Sequence, residues 1–312
     1  MYFVRSQCSD VLLRQRVLCV ATTRYLKGFP LDEGFFAPRV QLVALYLDQH
    51  PPNDIGRALA AEHGVTIYDT ITQCLTLGGD TGGNEPKSGG IAVDGVIIIG
   101  EHGDYAWNEK DQHLYPRKYF MEAVCGVMAT SGRSVPVFCD KHLSYNWHDA
   151  KWMVDRAKEL GAPFMAGSSL VLAWRKPWLE HPLGTVIEEA VAIGYSGLDI
   201  YGFHALEALQ CMVERRSGGE VGIAAVQCLE GDAVWEAAAA GRWSMALAEA
   251  ACDCIENKPD GGMVTNTPHP AAFLIEYRDG FNATVLMLEG YVKSQACETL
   301  AVSFFVPNSL LC

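Results

Sequence analysis

The chain has 312 residues, 49% of them hydrophobic, and a formal net charge of −13. That length suits two domains, each of about 100–200 residues, with cores large enough to need no disulfide staples. The acidic balance excludes a nucleic-acid surface, which needs a basic face, and no uninterrupted apolar run is long enough to cross a bilayer.

Residues 16–23 (RVLCVATT) predict a first strand. Residues 40–48 (VQLVALYLD) predict a second, apolar until Asp48. Continuous apolar runs of this kind suit a parallel sheet covered on both faces. Residues 53–63 predict a helix with Asn53 as its cap and Gly64 after its end. A short strand is expected at 66–68 and a short helix at 70–77. The glycine-rich stretch 78–90 reads as a surface loop and not a phosphate cradle, because a strand follows it where a cradle needs a helix. A fourth strand is expected at 93–100 and a helix at 117–129. A buried strand then starts at Val135, a helix follows at 147–160, and one more strand at 163–170. This alternation predicts an α/β fold, a doubly wound parallel sheet over residues 14–172.

The pattern changes near residues 174–182 (WRKPWLEHP), which mark the domain junction. Strands are expected at 185–192, 222–229, 271–278 and 282–290, with a helix at 203–216. Arg278-Asp279-Gly280 supplies the hairpin turn between the last two strands. Residues 173–312 therefore predict an α+β sheet domain. Its end, 294–312, lacks an obvious closing element, and the domain is expected to be shortened relative to its relatives.

Chemistry concentrates at two places. Asp140-Lys141-His142 ends a buried strand, and open α/β sheets bind ligands outside the carboxyl ends of their strands. Further along, Asp199, Tyr201 and His204 lie within six residues of one another. A lysine, an aspartate and a histidine together can transfer protons. His204 has a plainer alternative, capping or packing the start of its helix. Glu101, His102, Asp104 and Tyr105 follow the fully apolar fourth strand, where they read as substrate contacts or as an ordinary polar turn. The metal-ligand types His102, Asp104, His142, His204 and Glu207 form no local signature such as H-E-x-x-H, so no metal is expected.

The layout resembles the glucose–fructose oxidoreductase / inositol dehydrogenase / rhizopine-catabolism dehydrogenase family. Asp140-Lys141-His142 is similar to that family's Glu-Lys-Pro motif. The stretch from Gly197 to Glu207 is similar to its Asp-x-Gly-x-His-x-x-Asp motif, with one extra residue between Asp199 and His204. The resemblance spans about residues 16 to 290. It implies a Rossmann-like first domain, an open-sheet second domain and a nicotinamide cofactor, NAD or NADP. In that frame Lys141, His204 and Asp199 are the catalytic residues, with Lys141 and His204 facing one interdomain cleft. Tyr201 joins Glu101, His102, Asp104 and Tyr105 in binding substrate. Thr22, Thr23, Arg24, Asp48 and Lys141 bind the cofactor. Asp48 accepts ribose hydroxyls, or else merely caps its strand. The family's Gly-x-Gly-x-x-Gly turn is missing, because the turn at 21–28 offers hydroxyls, Arg24 and Lys27 but only Gly28. Dinucleotide binding there is expected to be weak or altered, since side chains restrict backbone approach to phosphate.

Three functions compete. The first is oxidation of a sugar, cyclitol or similar hydroxylated small molecule, with His204 as base and Lys141 holding the substrate oxygen. The second is a non-redox isomerase, lyase or cyclase on the same scaffold. The third is a catalytically inactive binding or regulatory protein. Residues 1–16 are expected to hold no signal peptide, because Asp10, Arg14 and Arg16 interrupt the apolar residues. Scattered cysteines without a C-x-x-C pair point to reduced thiols and a cytoplasmic location. A homodimer is expected, formed through an apolar sheet face carrying Phe273, Ile275, Tyr277 and residues 285–288.

Overall fold

Six short, mostly apolar segments build the first sheet. They are β1 (Tyr2–Phe3), β4 (Ala44–Tyr46), β5 (Thr66–Tyr68), β6 (Val96–Ile98), β7 (Val137–Asp140) and β8 (Phe164–Gly167). The computed structural model describes residues 2–3, 26–31, 34–37, 39–51, 54–79, 90–101, 103–172, 175 and 178–301. The expected strand at 16–23 and most of the glycine-rich loop lie outside the described residues. The central position of the sheet is taken by Tyr2–Phe3, which pairs in parallel with β4 and with β6.

Every pairing in this sheet is parallel, and the order is β5-β4-β1-β6-β7-β8. Counted along the chain, that is the doubly wound 3-2-1-4-5-6 order of a Rossmann-like domain. Burial on both faces explains why the strands read as apolar runs and not as alternation. Ala44 joins the core cluster under Phe120, Met121, Val124 and Met128, while its neighbour Leu45 joins the opposite cluster with Leu47, Ala60 and Val65. Each large side chain buried in this way contributes roughly 1.5–3 kcal/mol.

Local chemistry sets the helix ends. Helix α1 (Ile55–His63) is capped by Asp54, whose carboxylate accepts the Gly56 and Arg57 N–H groups, and it closes at Gly64 with φ 66°. The expected cap, Asn53, lies outside the described residues. Helix α2 (Ile71–Leu75) is capped by Thr70. Helix α3 (Arg117–Ser131) stops at Gly132, φ 60°, and α4 (Trp147–Glu159) is capped by Asn146. A hairpin of β2 (Phe29–Leu31) and β3 (Gly34–Phe36), not expected from the sequence, precedes β4.

The chain divides into two compact units, Met1–Gly167 and Ser168–Cys312. The second holds a mixed sheet of β9 (Ile187–Gly194), β10 (Ile223–Glu230), β11 (Ala271–Tyr277), β12 (Asn282–Met287) and β13 (Ala296–Ala301), in the order β10-β11-β12-β9-β13. The hairpin turn forms at the expected residues, with Gly280 at φ 83°. Strand β13 pairs antiparallel with β9, so 296–301 does provide a closing element. Residues 302–312 lie outside the description.

Alternation along β9 and β12 feeds two cores. Ala190, Ala192, Val285 and Met287 pack under α5 (Phe203–Val213). Val191, Ile193, Leu286 and Leu288 pack with α6 (Asp232–Ala239) and α7 (Met245–Asp253). Those two helices correct the sequence reading, which placed no element between the strands at 222–229 and 271–278. The expected dimer face is covered as well, largely by α5. Phe273, Ile275 and Tyr277 belong to the core under α5, and Val285 to Leu288 are at most 1% exposed. Among the described residues no helix is long and apolar enough to cross a membrane.

Candidate functional site

In-register pairing of β6 with β7 sets Ile98 beside Cys139, so the segments just beyond both strands run on together at the carboxyl edge of the first sheet. Glu101 and Lys141 meet there. The Lys141 ammonium donates to Glu101 Oε1, and both residues are buried, at 7% and 4% exposure. Arg117, the first residue of α3, brings a second cation: its guanidinium lies 4.0 Å from Glu101 Oε1 and is 1% exposed. Asp140 completes the group through a hydrogen bond between its carboxyl and that of Glu101. Lys141 therefore takes its carboxylate partner from the neighbouring strand's end and not from Asp140 beside it. Two carboxyl groups share a hydrogen bond only when one carries a proton.

Burial, and next the Glu101 charge, push the Asp140 carboxyl up to about 6. The folded chain thus keeps a proton that the unfolded chain releases, so stability falls as pH rises from about 3.8 to about 6. Asp140→Asn removes that loss. Urea unfolding should show the variant gaining on the parent by on the order of 1–3 kcal/mol between pH 4 and pH 7.5. A difference that does not change with pH would contradict this assignment. Burial pushes the thiol of Cys139, just before Asp140, up to about 12.

Asp48, two residues past the end of β4, is held by two phenols. Tyr46 donates to Oδ1 at 2.8 Å and Tyr105 to Oδ2 at 2.6 Å. Asp104 is exposed, and its backbone N–H and C=O both bond the Gln49 side chain at 3.3 Å. Sequence reasoning missed the aromatic column beside them. Exposed Trp107 stacks on His113 at 4.2 Å, His113 lies 4.3 Å from Tyr115, and Arg117 sits 4.8 Å over the Tyr115 ring. The signal was the spacing of His113, Tyr115 and Arg117 at every second residue. Thr22, Thr23, Arg24 and His102 lie outside the described residues. Lys27 pairs with Glu62 at 2.8 Å on the surface. Gly28, at φ 87°, packs so closely on the β2–β3 hairpin that a Cβ would meet Phe36 O at 2.4 Å.

In the second unit, a single turn of π-helix (Leu198–Gly202) leads into α5. It carries Asp199 and Tyr201 just ahead of His204. The His204 Nδ1 bonds Ser168 Oγ, and Glu207, one turn on, accepts the Ser168 N–H at 2.9 Å. Ser168 Oγ also accepts the Leu170 N–H at 3.0 Å. The Tyr201 ring lies 6.1 Å from that of His204, edge-on, and 4.9 Å from Tyr195. Ser168 thus anchors both polar residues of the helix's first two turns. Among the described residues no three His, Cys, Asp or Glu side chains converge as a metal site.

No family model and no curated protein matches the chain. Solved structures do match in fold. An NAD binding oxidoreductase from Klebsiella pneumoniae is similar, with a TM-score of 0.51 and 14% identity over 96% of this chain and 70% of that one. UDP-N-acetylglucosamine 3-dehydrogenase from Acidithiobacillus ferrooxidans is similar at TM-score 0.50 and 10% identity, over 96% and 72%. The likeness is one of fold, a Rossmann-like parallel-sheet unit followed by a mixed-sheet unit, as the sequence led us to expect.

Proposed function

We propose that the protein is an NAD- or NADP-dependent oxidoreductase acting on a hydroxylated small molecule such as a sugar or cyclitol. The observation that carries this reading is a buried Lys141–Glu101 pair at the carboxyl edge of a parallel sheet in 3-2-1-4-5-6 order. That edge is where such sheets take dinucleotides. Asp48 fits the cofactor: Tyr46 and Tyr105 occupy two acceptor positions of a carboxylate that has about four, leaving lone pairs for ribose hydroxyls. Thr22, Thr23 and Arg24 are the proposed phosphate ligands. The cofactor, when bound, supplies the hydride acceptor.

The chain's own residues do the rest. Lys141 holds and polarises the substrate oxygen. His204 takes the hydroxyl proton at Nε2, which requires Nδ1 to carry its hydrogen and donate to Ser168 Oγ. Ser168 Oγ has two lone pairs, so it can accept from both His204 and Leu170. Asp199 orients substrate or base, and Tyr201, His102, Asp104 and Tyr105 are proposed as substrate contacts. We assign cofactor binding to residues 14–172, and substrate handling and self-association to 173–312. The homodimer is tested by light scattering, where a concentration-independent monomer mass sinks it. The scattered cysteines, without a C-x-x-C pair, support a cytoplasmic location.

The test is a fluorescence titration with NADH and NADPH, followed by thermal unfolding. One of the two should bind, more weakly than to a glycine-rich turn. At about 100 times its dissociation constant it should stabilise the fold by about 2.7 kcal/mol. Binding of neither points to the second reading, an isomerase, lyase or cyclase. The Glu101–Asp140 pair favours that alternative, since it holds an exchangeable proton without any cofactor.

A further inference from the structure

Sequence position puts Glu101 among the substrate contacts, yet its carboxyl group is already engaged. It is 4% exposed, it receives the Lys141 ammonium on Oε1, and it shares a hydrogen bond with Asp140. Arg117 stands 4.0 Å from the same oxygen, so two cations and two acids are packed together with little water. Side chains of consecutive residues in extended chain point to opposite faces, so Asp140 is poorly placed to hold its own neighbour. The register Ile98↔Cys139 instead brings up a residue three positions past Ile98, which is Glu101. Lysine has four rotatable bonds, and ordering it costs about 1.5–2 kcal/mol of side-chain entropy. A fixed counter-ion is what lowers the cost of keeping that ammonium in one place.

We propose that Glu101 is a positioning residue that pins Lys141 from the neighbouring strand end and does not touch the substrate. The proposal deepens the function above, since it rests on Lys141 meeting the substrate. It makes Glu101 and Lys141 one functional unit, with Arg117 and Asp140 balancing its charge.

The test has a readout that needs neither cofactor nor substrate. The folded protein is treated briefly with acetic anhydride, and acylation of Lys141 is followed by peptide mass spectrometry, with exposed Lys151 as the internal reference. Glu101→Gln should acylate Lys141 at least about 5-fold faster, because an amide holds an ammonium less tightly than a carboxylate does. Glu101→Asp should keep most of the protection. Asp140→Asn should leave the rate at the parent's level, since Glu101 still holds the ammonium. Where turnover is measurable, Glu101→Gln should lower kcat by about 10-fold or more with little change in KM. Unchanged Lys141 acylation in a folded Glu101→Gln protein overturns the proposal, as does a raised KM at constant kcat, the mark of a substrate ligand. If Glu101→Gln does not fold, the remaining variants decide: faster acylation in Asp140→Asn names Asp140 as the holder and overturns the proposal. Failed titrations with both NADH and NADPH alongside faster Lys141 acylation sink the oxidoreductase reading and leave the positioning role of Glu101 standing.

Discussion

Lys141→Met should abolish most turnover and destabilise the fold more at pH 8 than at pH 5.5. Methionine matches the unbranched stem and suits a position only 7% exposed, so the packing change is small. The electrostatic change is not. Glu101 and Asp140 are left facing each other with Arg117 as their remaining cation, 4.0 Å from Glu101. Breaking a buried pair by removing one partner costs about 3–5 kcal/mol when the stranded charge stays ionised. The acid pair can escape that cost by taking up a proton. Asp140 already titrates near 6 with Lys141 present, and loss of the cation moves the pair further upward. A carboxyl raised in the folded state loses stability as pH climbs, so the penalty grows from pH 5.5 to pH 8. Urea unfolding at the two pH values measures it. An equal penalty at both would show that Lys141 is not the counter-ion of the pair. Loss of at least about 100-fold in kcat, or about 2.7 kcal/mol of barrier, is the expected kinetic result.

Much of the scaffold was legible because parallel strands announce themselves as apolar runs between helix caps. Residues 93–100 and Val135 onward gave β6 and β7, and the end of β7 at Asp140 put Lys141 at the carboxyl edge. What stayed hidden were contacts between segments far apart in sequence. Glu101 and Lys141 are separated by 40 residues, and nothing local marks them as a pair. Their union depends on strand order, which periodicity does not encode. The same holds for Ser168, an ordinary serine in sequence, which anchors His204 across 36 residues. The missed helices α6 and α7 are a different failure. Their alanine-rich stretch carries strong helix propensity, but the sequence reading passed from the strand at 222–229 to that at 271–278 without using it. Missing them left one face of the sheet looking open, while Phe273, Ile275 and Tyr277 of the expected dimer face lie under α5.

Gly194→Ala should cost about 1–3 kcal/mol and disturb His204, while Gly197→Ala should do neither. Both glycines flank the start of the helix that carries His204, and sequence alone does not separate them. Gly194 ends β9 directly beneath that helix. A Cβ there would lie 2.6 Å from Met287 Sδ and 2.9 Å from Ala205 Cβ. The methionine is 1% exposed and so has little room to swing away. Ala205 is part of α5, so relief on that side means moving the helix. Ala205 directly follows His204, and a shift of α5 pulls on the bond between His204 Nδ1 and Ser168 Oγ. Gly197, by contrast, has φ −65° and nothing within 4 Å of an added Cβ. Thermal unfolding distinguishes the two variants, since a domain of this size loses about 2–4 °C per kcal/mol. The imidazole resonances of His204 offer a second readout, expected to shift in Gly194→Ala alone. Equal melting temperatures for both variants would mean that β9 and α5 are not packed as closely as the Gly194 contact requires. The anchoring of His204 by Ser168 would then need another explanation.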